Sequence, residues 1–140
     1  MYKIKNFFRG VQNIIDWFPV IWRDRDFDYG FTFDVLKFKL ERQAKYFESC
    51  DSEKYVEIRK CIELIDKVVE EEMLFEYEKF DNIQEYFDKY HHTHKKVLNL
   101  AKGKDWTEEN ILFEMGRINH EKTRKKLFNT LNYNIESWWN

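Results

Sequence analysis

The chain has 140 residues, of which 43% are hydrophobic, 19% aromatic and 36% charged, with a formal net charge of −2. That length holds one domain with little room for two, and the apolar content is too high for a disordered chain. Near-neutral charge speaks against a non-specific nucleic-acid binder, which draws its affinity from a basic excess, and 4 Gly with 1 Pro speak against a turn-rich β fold.

From Lys3 to about Phe18, the residues Phe7, Val11, Ile14, Ile15 and Phe18 recur at helical spacing. Pro19 is expected to end this helix, since proline lacks a backbone donor and disfavours helix just before it. A connector runs from Val20 to Gly30, with Asp28 as the chosen cap of the next helix. That helix spans about Tyr29 to Phe47, with a broad apolar face built on Phe33, Leu36, Leu40, Ala44 and Phe47. After a polar turn, Ser52 and Glu53 open a long third helix to about Phe80, carrying Ile58, Cys61, Ile62, Ile65, Val68, Val69, Met73 and Phe75.

Asp81-Asn82 caps a shorter helix with Ile83, Tyr86, Phe87 and Tyr90, and the stretch from His91 to Lys104 is ambiguous. Asp105 with Glu108 matches a capping box for a last helix that runs nearly to the chain end. The expected fold is therefore all-α, a compact bundle of about four to five helices with two long antiparallel ones, forming a single domain over residues 1–140. Most of the Phe, Ile and Leu stripes are expected in its core. No run approaches the about 20 apolar residues of a membrane span, and the N-terminus lacks the features of a signal peptide. The expectation is a cytoplasmic protein with no membrane partner. Cys61 falls on a core face and reads as a free buried thiol.

Two polar clusters stand out. Trp22, Arg23 and Arg25, interleaved with Asp24 and Asp26, offer a stacking face beside planar guanidinium forks, or else a salt-bridged corner between helices. Further on, Arg117, His120, Glu121 and Arg124 share one helix face, with Asn119 alongside. This group suits an anionic nucleotide, or a solvated surface with pairs such as Arg117–Glu121. The histidines His91, His92 and His94 lack zinc-pair spacing, and no Glu-x-x-His motif occurs, so no metal is expected. No catalytic constellation or cofactor motif is present, and the expected class is not an enzyme. At the end, adjacent Trp138 and Trp139 diverge by about 100°, so one can enter the core while the other faces elsewhere, which suits either an interface anchor or an aromatic clamp on the same monomer.

The run from Trp17 to Tyr29, with its W-R-D-R-D-F-D core, resembles a segment of a family of small tailed-bacteriophage proteins. So do Leu36 to Glu41, Cys61 to Ile65, Ile118-Asn119-His120-Glu121-Lys122 and the closing Trp138-Trp139. The resemblance spans most of the chain and departs from the family's pattern at Phe27, at Asn140 and around His91 to His94. It implies a phage origin and supplies no mechanism. By analogy, the expected function is an anti-defence binding protein that sequesters a nucleotide-type immune signal in a helical homo-oligomer. Its ligand contacts would be Trp22, Arg23, Arg25, Arg117, Asn119, His120 and Arg124. The alternative is a helical module that docks on a host or phage protein through Trp138 and Trp139. A nucleic-acid partner is not expected.

Overall fold

The computed structural model describes residues 2–24, 29–70 and 73–138, and side chains from residue 4 onward. Six α-helices and a short 3-10 helix make up the described chain, with no strand among those residues, so the all-α expectation holds. The chain divides into two compact units, residues 1–59 and 60–140.

The first unit contains α1 (Tyr2–Arg23) and α2 (Tyr29–Ser49), and α3 (Lys54–Val69) begins in it. Contrary to expectation, α1 does not stop before Pro19 but carries it inside its last turns. The missing amide costs one hydrogen bond near the end of a long helix, too little to stop propagation. Arg23 Nε donates to the Pro19 carbonyl at 3.1 Å and steadies the last turn. The connector chosen from sequence is thus helical up to Arg23, while Asp28 lies outside the described residues, as do Arg25 and Asp26. The turn after α2 places Asp51 at φ 53° and folds back with Ser52 N donating to Phe47 O at 3.0 Å.

α3 buries Ile58, Cys61, Ile65 and Val68, a heptad-like row, and ends at Val69 instead of continuing to Phe80. Asp66 and Glu70 add negative charge at the end where the helix dipole is already negative, which opposes further turns. The expected continuation is replaced by the 3-10 helix Glu76–Lys79. α4 (Ile83–Lys89) starts at Asn82, whose side chain accepts from Gln84 N at 2.9 Å, in line with the sequence reading. The ambiguous stretch resolves as α5 (His91–Ala101).

α6 (Glu108–Asn134) is capped by Thr107 and Asn110, not by Asp105 and Glu108. Thr107 accepts from Asn110 N, and Asn110 Oδ1 accepts from Thr107 N at 3.0 Å, so the same reciprocal device sits two residues later. α6 packs on α5 and on the 3-10 helix, and α4 packs on α5. Their shared core holds Tyr86, Val97, Leu112, Met115 and Ile118, with Phe80 and Tyr90 meeting the Tyr86 ring edge-on at 5.4 and 5.1 Å. Gly116 is where α6 passes closest to the chain at Leu74: a Cβ there would collide with the Leu74 backbone.

Candidate functional site

On a helix with 3.6 residues per turn, the residues of α1 sort cleanly by angle. Ile4, Phe7, Phe8, Val11, Ile14, Ile15, Phe18, Ile21 and Trp22 fall within about 140° of its circumference. They follow the steps of 3 and 4 that keep an apolar seam on one side. The opposite side carries Asn13, Asp16, Trp17 and Val20, and this is the side α1 turns to α2. Arg42 of α2 pairs with Asp16 and donates to Asn13 Oδ1 at 2.8 Å. Trp17 meets the Phe38 ring edge-on at 4.7 Å, and Val20 is buried.

The consequence overturns the expectation that the first helical stripe is core. Ile4, Phe7, Phe8, Ile14, Ile15, Phe18, Ile21 and Trp22 are 56–71% exposed, and Val11 is 38% exposed. Together these side chains leave on the order of 1,000 Å² of apolar surface open, whereas the largest patch of a typical monomer is about 300–600 Å². A shallow apolar hollow of about 260 Å³ sits on this flank between Ile14, Phe18 and Ile21, with Asn13 and Trp17 at its edge.

Beside the Trp17–Phe38 contact and buried Val20, the seam behind this face holds an ordered polar cluster. Gln12 Nε2 donates to Asp16 Oδ1 at 2.7 Å. Together the Arg42 guanidinium and this amide hold the Asp16 carboxyl below the usual carboxylate range. A recess of about 430 Å³ opens beside the pair, lined by Asp16, Phe38, Arg42 and Lys45.

The residues selected from sequence are distributed over both units. Trp22 is exposed at the end of α1 and stacks on Phe18 at 5.4 Å, with exposed Arg23 beside it. Arg117, Asn119, His120 and Arg124 belong to the second unit. There Arg117 does not pair with Glu121; it grips Glu114 with two hydrogen bonds at 2.8 and 2.7 Å, which holds Glu114 below its ordinary range. Glu121 pairs with Lys125 at 2.8 Å.

Asn119 is 3% exposed, and its Oδ1 accepts from Thr93 Oγ1 at 3.1 Å; Thr93 in turn accepts from Lys122 Nζ at 2.7 Å. His120 Nε2 donates to Val68 O at 3.0 Å, closing one of the carbonyls left open at the end of α3. These two side chains therefore face the fold, and Arg124 is the exposed cation of the set that remains beside Arg117. Two buried polar atoms end this line without a hydrogen-bond partner, the Tyr86 hydroxyl and Asn119 Nδ2. Burial pushes the Tyr86 hydroxyl up to about 12, against a smaller opposing pull from Asn119.

Trp138 is 1% exposed, so the first of the two terminal tryptophans is an internal side chain; Trp139 lies outside the described residues. His94 stacks on Phe87 at 4.0 Å, and no group of three His, Cys, Asp or Glu side chains among the described residues is placed to hold a metal ion. Among the described residues, no helix is long and apolar enough to cross a membrane. The α1 face was the feature that sequence reasoning misassigned, and its signal was present in the 3-and-4 spacing and in the polar residues opposite. Comparison with protein-family models, with curated proteins and with solved structures finds no match for the chain.

Proposed function

We propose that the protein is a helical interaction module whose docking element is α1. One observation carries this reading: α1 rests the side holding Asn13, Asp16, Trp17 and Val20 on α2 and leaves an unbroken apolar stripe exposed. An amphipathic helix normally buries its apolar side, and contiguous apolar surface of this extent marks a contact site. This docking element is distinct from the terminal tryptophans of the alternative sequence reading, of which Trp138 is inside the fold and Trp139 lies outside the described residues.

A photo-crosslinking residue placed at Ile14 in the expressed full chain tests the reading, with the same residue at exposed Lys125 of α6 as the control. The expected outcome is a distinct adduct from position 14 and none from position 125. Equal or absent labelling at both positions would remove α1 as the docking element.

The nucleotide-sponge reading stands second, supported by exposed Trp22, Arg23 and Arg124. Titration calorimetry with cyclic and linear nucleotides separates it from the first. Heat that disappears in Arg23→Ala or Arg124→Ala would favour the sponge, as would heat unaffected by substitution at Ile14.

A further inference from the structure

We infer that the α1 face docks on the surface of a bilayer carrying anionic headgroups, with the helix lying in the plane of that surface. This rests on the reading of α1 as the docking element and names its partner.

The charge on α1 makes the first argument. The helix carries Lys3, Lys5, Arg9 and Arg23 against a single acid, Asp16. Asp16 is held by Arg42 behind the helix, so no carboxylate of α1 is left to meet a cation beside the apolar stripe. Helices that pair with their own copies place opposite charges along the flanks of the seam. An antiparallel pair of α1 copies would set Lys5 against Arg23, and in neither orientation does α1 offer an acid to meet them. An anionic headgroup layer supplies the missing charge, at about 1 kcal/mol per Lys or Arg near the surface.

Shape makes the second argument. The 22 residues of α1 extend about 33 Å, and the apolar stripe runs the whole length at about 140° of width. That is broader than the single seam of a two-stranded coiled coil and matches a helix sunk partway into a flat interface. Because α2 already covers the reverse side, the helix can offer only this one face. The stripe is built from Phe, Ile and Val and closes with Trp22, a residue that settles at the headgroup level. The proposal needs no membrane-spanning helix, and it departs from the sequence expectation of no membrane partner.

Flotation of the full chain with vesicles tests it, using phosphatidylcholine alone and phosphatidylcholine with about 30 mol % phosphatidylglycerol. The chain is expected to float with the anionic vesicles, to lose binding as salt rises, and to stay behind with phosphatidylcholine alone. Ile14→Glu with Phe18→Glu should abolish flotation while leaving the helical circular dichroism intact, since both side chains are exposed.

Lys5→Gln with Arg23→Gln, which lie on the same flank of the stripe, keeps the apolar face and should weaken binding about thirtyfold. Equal flotation with both vesicle types would overturn the proposal. So would absence of flotation combined with a self-association in light scattering that the Glu variant abolishes, which would make a second copy the occupant. A protein adduct from position 14 without vesicle binding would also overturn the lipid surface while leaving the docking reading of α1 intact.

Discussion

α1 and α6 are the two longest helices, at 22 and 27 residues, and they treat their apolar side chains in opposite ways. α6 has the less regular pattern, yet Leu112, Met115, Ile118, Leu127 and Leu131 are all buried. α1 has the cleaner separation of faces and exposes the apolar one. Amphipathicity therefore establishes that a helix has two sides; which side the chain itself uses depends on what the neighbouring helix offers. Arg42 of α2 offers a cation, and the side of α1 holding Asp16 and Asn13 answers it.

Truncation gives the largest test of this contrast. Met115→Ala should cost about 2–5 kcal/mol in urea unfolding, as expected for a fully buried side chain. Phe7→Ala, which removes a larger but exposed group, should stay within about 0.5 kcal/mol. A loss from Phe7→Ala as large as that from Met115→Ala would mean that the α1 face is packed in solution.

The glycines give the next effect, and it changes sign. Gly10→Ala meets open space on α1 and should stabilise by about 0.5–1 kcal/mol. Gly116→Ala should destabilise by about 1–3 kcal/mol because its methyl would strike the Leu74 backbone. Thermal melts of the two variants check the pair, and a gain in both would refute the close approach to α6.

The smallest effects lie at the ends of the pH scale. Tyr86, raised to about 12 by burial, favours the fold in its neutral form. Its contribution is complete below about pH 10 and is lost as pH rises toward 12, a loss that Tyr86→Phe should remove from the alkaline unfolding curve. Asp16 behaves in the opposite sense. Its carboxyl is held low by Arg42, so the α1–α2 contact is complete above the usual carboxylate range and weakens as pH falls through it. Asp16→Asn should flatten that acid limb and leave the alkaline one unchanged.

Much of the fold was legible. The stripe of α3 and the Asn82 cap both followed from spacing and from the identity of single residues. The helix limits failed where two local rules competed. Pro19 is a strong breaker, yet it sits so near the end of α1 that only one hydrogen bond is at stake. Thr107 outcompeted Asp105 as a cap because Asn110 could return the hydrogen bond.

The site was less legible because polarity near a helix surface does not say which way it faces. Asn119 and His120 read as ligand contacts, but one is buried against Thr93 and the other closes the end of α3. Both partners lie more than twenty residues away in the chain, beyond the reach of any spacing rule. The mid-helix Gly116 was the better clue to close packing, since such a glycine lowers helix propensity unless a neighbour needs the space.

The outward stripe of α1 also separates two kinds of selection. Side chains that hold no core can change without unfolding the protein, so drift at Phe7, Ile14 or Trp22 meets no resistance from folding. In a survey of all substitutions scored separately for abundance and for partner binding, these positions should be silent in the first and sensitive in the second. Most interaction sites confound the two, because their residues also pack the fold. Under the docking reading of α1, the contact surface and the buried core occupy different side chains, and each can be altered while the other is kept.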